Sequence, residues 1–168
     1  MDSEDATDAE VGRATDACLR LLKARARSRQ ELLAALERKG YAEAVRERAL
    51  ARVEGWGYLN DERFARDQAE RLLGGGRYGP EEVRRRLEAH GVSPEAASTA
   101  VATARGTLEF DAEHAARQVL EKRGLAGREL DAREKARAGR LLFSRGFSED
   151  IIQRLLGDAM LEPSGPDD

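Results

Sequence analysis

The apolar positions of this chain fall into three stretches that superimpose on a glycine. They are SRQELLAALERKGYAEAVRERALARV around Gly40, GPEEVRRRLEAHGVSPEAASTAVATA around Gly91 and ARAGRLLFSRGFSEDIIQRLLGDA around Gly146, with spacings of 51 and 55 residues. Leu36, Leu87 and Leu142 stand four residues before the glycine and Leu32, Val83 and Ala138 eight before it, which stacks side chains on one helical face. Tyr41, Val92 and Phe147 follow it directly, and Val45, Ala96, Ile151, Leu50, Val101 and Leu156 continue the apolar stripe. Each stretch predicts a helix, a turn and a second helix. Glycine suits the turn because a helix commonly ends through one residue of positive φ, where a Cβ is strained. Upstream of each pair lies room for a further helix, at 16–26, 61–73 and 112–124. The predicted fold is all-α: three tandem three-helix repeats of helix-turn-helix-like units, at 14–58, 59–106 and 107–160, forming an elongated curved array.

Local signals agree with this layout. Ser28 with Glu31 three residues on forms a capping box, and Pro80 suits the first turn of its helix because its missing N–H would have no partner there. In GWGYLNDERFARD, residues 55 to 67, Asn60 is an N-cap and Asp61 and Glu62 place negative charge at the positive end of a helix dipole. Leu59 and Phe64 occupy the two positions of a hydrophobic staple. With Gly55 and Gly57 ending the previous helix, Trp56 and Tyr58 are expected to join Leu59 and Phe64 in packing over the seam between repeats one and two.

Composition narrows the class. Charged residues make up 36% and aromatics 5%, as in exposed helices and unlike a sandwich or barrel. Cys18 is the only cysteine and His90 and His114 are the only histidines, so no intramolecular disulfide and no conventional metal-ligand set is available. No cofactor is expected. Residues 1–13 are acidic without an apolar run, and they read as a disordered tail, as do the acidic residues 161–168. With neither a secretory signal nor an apolar membrane span, a cytoplasmic protein is expected. Between the ends, residues 16–157 hold 28 bases against 23 acids, and the excess begins early, with ten bases against six acids in 16–57.

Enzyme chemistry finds little support. GGGRYG lacks a preceding strand and the Lys-Ser or Lys-Thr ending of a phosphate-binding loop, and it reads as a linker. His90 and His114 have no sequence-adjacent nucleophile, and Cys18 sits among leucines as a small core residue. A binding protein is the better expectation. On the helix from Pro80, Val83 and Leu87 mark the buried face, so Arg84, Arg85 and Arg86 fan across the solvent half. Arg77 precedes them, Arg63 and Arg66 lie on the repeat's first helix, and Arg25, Arg27 and Arg29 form a basic run in repeat one. These nine arginines are the candidates for contacts with an acidic surface or phosphate. The competing account is a solvated surface of local ion pairs, since residues 60–92 hold seven acids and seven bases.

The run YLNDERFARD, followed by RYGPEEVRRRLEAHGV and flanked by helix-glycine-helix units, resembles the RecX family over about residues 14–160. The triple glycine at 74–76 and Gly139 depart from the pattern. The resemblance implies a non-enzymatic regulator that binds the RecA filament on single-stranded DNA, follows its groove and suppresses its growth, ATP hydrolysis and strand exchange. It implies contact with single-stranded DNA that is weak or made through RecA; a repeat array with polar ends needs no second copy, so a monomer is expected. The alternative is a helix-turn-helix DNA-binding transcriptional regulator. Its reading helix in repeat two would be SPEAASTAVATAR, with Arg105 as the only cation; repeat one offers Arg46, Arg48 and Arg52 among Glu43, Glu47 and Glu54.

Overall fold

The structure, a computed structural model, describes residues 2–157, with side chains from Thr7 onward. Nine α-helices and no strands occur among the described residues: α1 Asp2–Ala24, α2 Arg29–Arg38, α3 Glu43–Gly55, α4 Asp61–Gly74, α5 Pro80–Ala89, α6 Pro94–Thr107, α7 Ala112–Glu121, α8 Ala132–Ser144 and α9 Glu149–Leu156. They pack in threes. The first unit closes over Val11, Cys18, Leu32, Leu36, Leu50 and Val53. The second closes over Phe64, Leu73, Val83, Leu87 and Val101. The third closes over Val119, Leu120, Leu142, Phe147 and Ile152. Every extensive helix-on-helix contact among the described residues lies inside one of these units, so each unit folds around its own core and touches its neighbours only at its edge.

The glycine turns are copies of one another. Gly40, Gly91 and Gly146 have φ of +86°, +88° and +84°. The residue after each donates back across the turn: Tyr41 N–H to Leu36 at 3.2 Å, Val92 N–H to Leu87 at 3.1 Å and Phe147 N–H to Leu142 at 3.1 Å. This is the six-to-one bond of a Schellman cap, which satisfies a carbonyl that the helix end would otherwise orphan. The stacked positions before the turn, Leu32, Leu36, Val83, Leu87, Ala138 and Leu142, are fully buried. Burying each leucine contributes roughly 1.5–3 kcal/mol. Tyr41, Ala96 and Ile151 are half-buried and pack on the rims of their cores.

Several expectations need correction. The N-terminal residues are no disordered tail: α1 begins at Asp2, and Val11 and Ala14 are fully buried at the spacing that extends the face of Cys18 by two turns. The stripe is hard to see in the sequence because its residues are small and stand among acids. Burial pushes the Cys18 thiol up to about 11, in keeping with a core role. The triple glycine is no linker, since α4 runs through Gly74, Gly75 caps it and Gly76 makes the turn with φ of +64°. Gly139 does not interrupt its helix; α8 passes straight through it and buries it. The acidic segment 161–168 lies outside the described residues. Helix α8 has 13 residues where its counterparts α2 and α5 have ten, and the addition is an extra turn at its N-terminus. No helix among the described residues is long and apolar enough to cross a membrane.

Candidate functional site

Successive units meet in the same way twice, with the glycine turn of one seated on the N-terminus of the middle helix of the unit before it. At the first joint the buried Ser28 hydroxyl donates to the carbonyl of His90, the residue before turn glycine Gly91. Glu31 closes its capping box on the Ser28 N–H at 3.0 Å and also faces Arg25 Nη2 at 2.9 Å and His90 Nδ1 at 3.1 Å. Its partial burial raises the carboxyl pKa. The hydrogen bonds from Arg25 and the Ser28 backbone, with the charges of Arg25 and His90, outweigh that and hold it below the ordinary carboxylate value. The His90 ring stands edge-on to Phe64, centroids 6.0 Å apart, and Arg29 N–H donates to Asp61 at 2.8 Å.

At the second joint the Gly79 N–H donates to the Arg145 carbonyl at 2.6 Å and the Glu81 N–H to the Gly146 carbonyl at 3.1 Å. Here main chain meets main chain. A Cβ on Gly79 would collide with the carbonyl of Gly146, and one on Gly146 with the backbone nitrogen of Glu82. Tyr78 lies between two guanidiniums, Arg86 at 4.1 Å and Arg145 at 5.6 Å from its ring centre.

The seam at the first joint is filled without Trp56 and Tyr58, which are 57% and 60% exposed. Their assignment to inter-repeat packing is therefore corrected. The Tyr58 N–H bonds back to the Val53 carbonyl at 3.0 Å around Gly57, φ +77°, a second use of the glycine cap that turns both rings outward. Leu59, buried, joins the core of unit one, and Phe64, buried, joins that of unit two.

The nine arginines singled out from the sequence are scattered, and most have partners. Arg84 pairs with Glu81 at 3.2 Å and with Glu88, Arg85 with Glu82 at 3.1 Å and Arg86 with Glu82 at 2.8 Å. Their helix is thus laced by its own carboxylates. Arg25 is engaged by Glu31, and Arg29 by Glu47 and by Glu54 at 2.9 Å. Arg66 only approaches Asp67, at 4.0 Å. Arg27 donates to the Leu21 carbonyl at 3.3 Å and Arg63 to the Gly57 carbonyl at 3.2 Å, while the carbonyl of Arg77 accepts from Arg145. Two of the base-reading candidates of the transcription-regulator alternative are occupied as well, Arg46 by Glu37 at 3.4 Å and Arg48 by Asp8.

The feature that sequence reasoning missed is helix α8. Residues 132–145 hold five bases and one acid. Arg133, Arg137 and Arg140 recur at intervals of four and three residues, opposite the buried Leu142, and are exposed. Glu134, the lone acid, is turned elsewhere: it closes a capping box with Asp131 and takes a two-point hydrogen bond from Arg128 at 2.6 and 3.0 Å. Those bonds, with the Asp131 backbone N–H and the charges of Arg128 and Arg137, hold its carboxyl down at about 2. Phe143, at the end of the stripe, is 61% exposed. A charge count over a helix-length window would have found this face.

Comparison with known proteins agrees with the fold. Family models match twice, the first three-helix domain of RecX over residues 14–52 and the third over residues 111–156. The regulatory protein RecX of Stenotrophomonas maltophilia strain K279a is 35% identical over 137 residues, covering 81% of this chain and 80% of that protein. That of Mycobacterium ulcerans strain Agy99 is 34% identical over 135 residues, covering 80% and 77%. The crystal structure of RecX from Lactobacillus salivarius superimposes with a TM-score of 0.72 at 18% identity, covering 88% of this chain and 95% of that one. A second RecX crystal structure gives 0.77 at 17% identity, covering 91% and 76%. Separate trihelical cores, the repeated glycine joint and these matches lead to one assignment: the chain belongs to the RecX family of regulatory proteins, which are not enzymes.

Proposed function

We propose that this protein binds the RecA filament assembled on single-stranded DNA and restrains its growth, ATP hydrolysis and strand exchange, acting in the cytoplasm as a monomer. The observation that carries this reading is the separateness of the three cores. Units joined only at their edges make an extended, curved body whose outer faces are long compared with any pocket, a shape suited to lying along a helical polymer. Arg77 and the Arg84 to Arg86 face are the proposed contacts. Exposed ion pairs of the kind they form with Glu81, Glu82 and Glu88 are weak and exchangeable, so an acidic partner can take over those guanidiniums. Trp56 and Tyr58, exposed beside Arg63, are of the residue types that anchor protein interfaces once buried.

The test is RecA's DNA-dependent ATPase measured against rising amounts of this protein, with the Arg84→Ala, Arg85→Ala, Arg86→Ala triple variant alongside. The wild type is expected to inhibit, and the variant to need at least tenfold more protein for the same effect. Absence of inhibition by the wild type would falsify the proposal, and equal inhibition by the variant would remove those arginines from it.

A further inference from the structure

We infer that helix α8 and the cleft beside Phe143 form a direct contact site for single-stranded nucleic acid, the backbone running over Arg133, Arg137 and Arg140 and an unstacked base entering the cleft. The inference deepens the preceding reading and rests on it for the presence of single-stranded DNA beside the protein. Three observations converge. The first is charge: α8 presents Arg133, Arg137 and Arg140 on one exposed face; none is held in an ion pair among the described residues, and Glu134, whose charge Arg137 feels, is hydrogen-bonded to Arg128 instead. Helix α5, its counterpart, has every arginine answered by a glutamate. At 1.5 Å per residue the three α8 side chains are rooted about 6 and 4.5 Å apart along the axis, so they form a line of cations able to follow a phosphate backbone.

The second is the aromatic ring. Phe143 is large, apolar and 61% exposed where no unit covers it. A base face stacks on such a ring irrespective of sequence, and only a single strand offers unpaired bases. The third is the cleft. A space of about 310 Å³ opens between α8 and α9, lined by Arg140, Phe143, Glu149, Asp150, Ile152 and Gln153. The two carboxylates repel phosphate and accept from the amino groups on base edges. That fixes the polarity of the site, with backbone toward the arginines and base toward the acids. On its other side Phe143 borders a smaller cleft of about 210 Å³ shared with Arg85, so the face continues across the second joint to the α5 arginines.

The experiment is fluorescence anisotropy of a labelled oligo-dC, whose bases carry the N4 amino group the carboxylates accept from, titrated with the full-length protein at several salt concentrations, without RecA. Wild type should bind with a log K against log salt slope of roughly −2 from three phosphate contacts. The Arg133→Ala, Arg137→Ala, Arg140→Ala variant should lose at least tenfold in affinity and bring the slope close to zero. Phe143→Ala should lose about tenfold with the slope unchanged, because stacking does not depend on salt. All of these residues are exposed, and matching far-UV melting curves check that the variants fold. Wild type that does not bind the oligonucleotide, or variants that bind as wild type does, overturn the inference. So does a triple variant that keeps the oligonucleotide and loses only the RecA filament, which would make α8 a protein contact. Failure to inhibit RecA is read in the separate ATPase measurement and leaves the anisotropy result standing.

Discussion

The two joints of this protein share one geometry and two chemistries. At the first, a serine hydroxyl, a glutamate and a histidine ring hold the incoming turn; at the second, backbone N–H groups and carbonyls do so, with glycines on both sides. Ser28 and Gly79 occupy the same place in the repeat, as do His90 and Arg145. What the array preserves is the approach of a turn to a helix N-terminus, where free N–H groups or a capping side chain face the incoming carbonyl. Side chains can supply that contact or be dispensed with.

Substitution of the three turn glycines should separate the joints most clearly. Gly146→Ala adds strain at φ +84° to a collision with the backbone at Glu82, and should cost on the order of 3–4 kcal/mol in thermal or denaturant unfolding. At Gly91→Ala the Gln30 carboxamide can swing away but its Cβ, 2.5 Å from the new one, cannot, so the backbone of α2 must yield and about 3 kcal/mol is expected. Gly40→Ala, with nothing within 4 Å, should cost only the conformational strain of about 1 kcal/mol. The order 146, 91, 40 is the informative result; equal losses would mean that the joints do not bear on stability.

Ser28→Ala removes a cap and leaves the His90 carbonyl without its donor, at about 1–2 kcal/mol in the same unfolding measurement. Acid sharpens the contrast further. The Glu31 carboxyl lies below its ordinary value, so the stability it contributes is present above the unfolded carboxylate range and lost as pH falls through its lowered value. Amide exchange across 28–31 and 90–92 should therefore quicken, relative to 79–82 and 145–147, when samples at acidic and neutral pH are compared after correction for intrinsic rates. Equal changes at both joints would show that Glu31 does not hold the first one. The smallest effect is expected from Arg84→Ala, Arg85→Ala and Arg86→Ala together, which should lower the melting temperature only slightly, because exposed helix pairs add little to stability and the Arg86 contact with Tyr78 about 0.5–1 kcal/mol.

The repeat was legible in the sequence because its marks are local. Leu36, Leu87 and Leu142 keep a fixed distance from a glycine, and the Ser28 and Asn60 caps are written within four residues. The N-terminal half of α1 was not legible, because Val11 and Ala14 are small and surrounded by acids, and only tertiary burial against α3 reveals their face. Trp56 misled because a large aromatic between glycines suggests a plug, whereas the direction of the helix cap turns it outward. For the surface, composition showed where arginines are and not which are answered. The α5 arginines drew attention as a consecutive triplet, yet Glu81, Glu82 and Glu88 compensate them at helical spacing. The α8 arginines, spread through the sequence, come together only once wound on a helix, and the one nearby acid is diverted by Arg128.

The additional turn at the start of α8 occupies the register where the joint would recur, with Glu134 standing at the place of Ser28 and Gly79. A further module appended behind unit three would have nowhere to seat its glycine, whereas a duplicate of unit two spliced between its neighbours would find both mating surfaces ready. Lengthening this protein by design is therefore a matter of insertion in the middle and not of addition at that end.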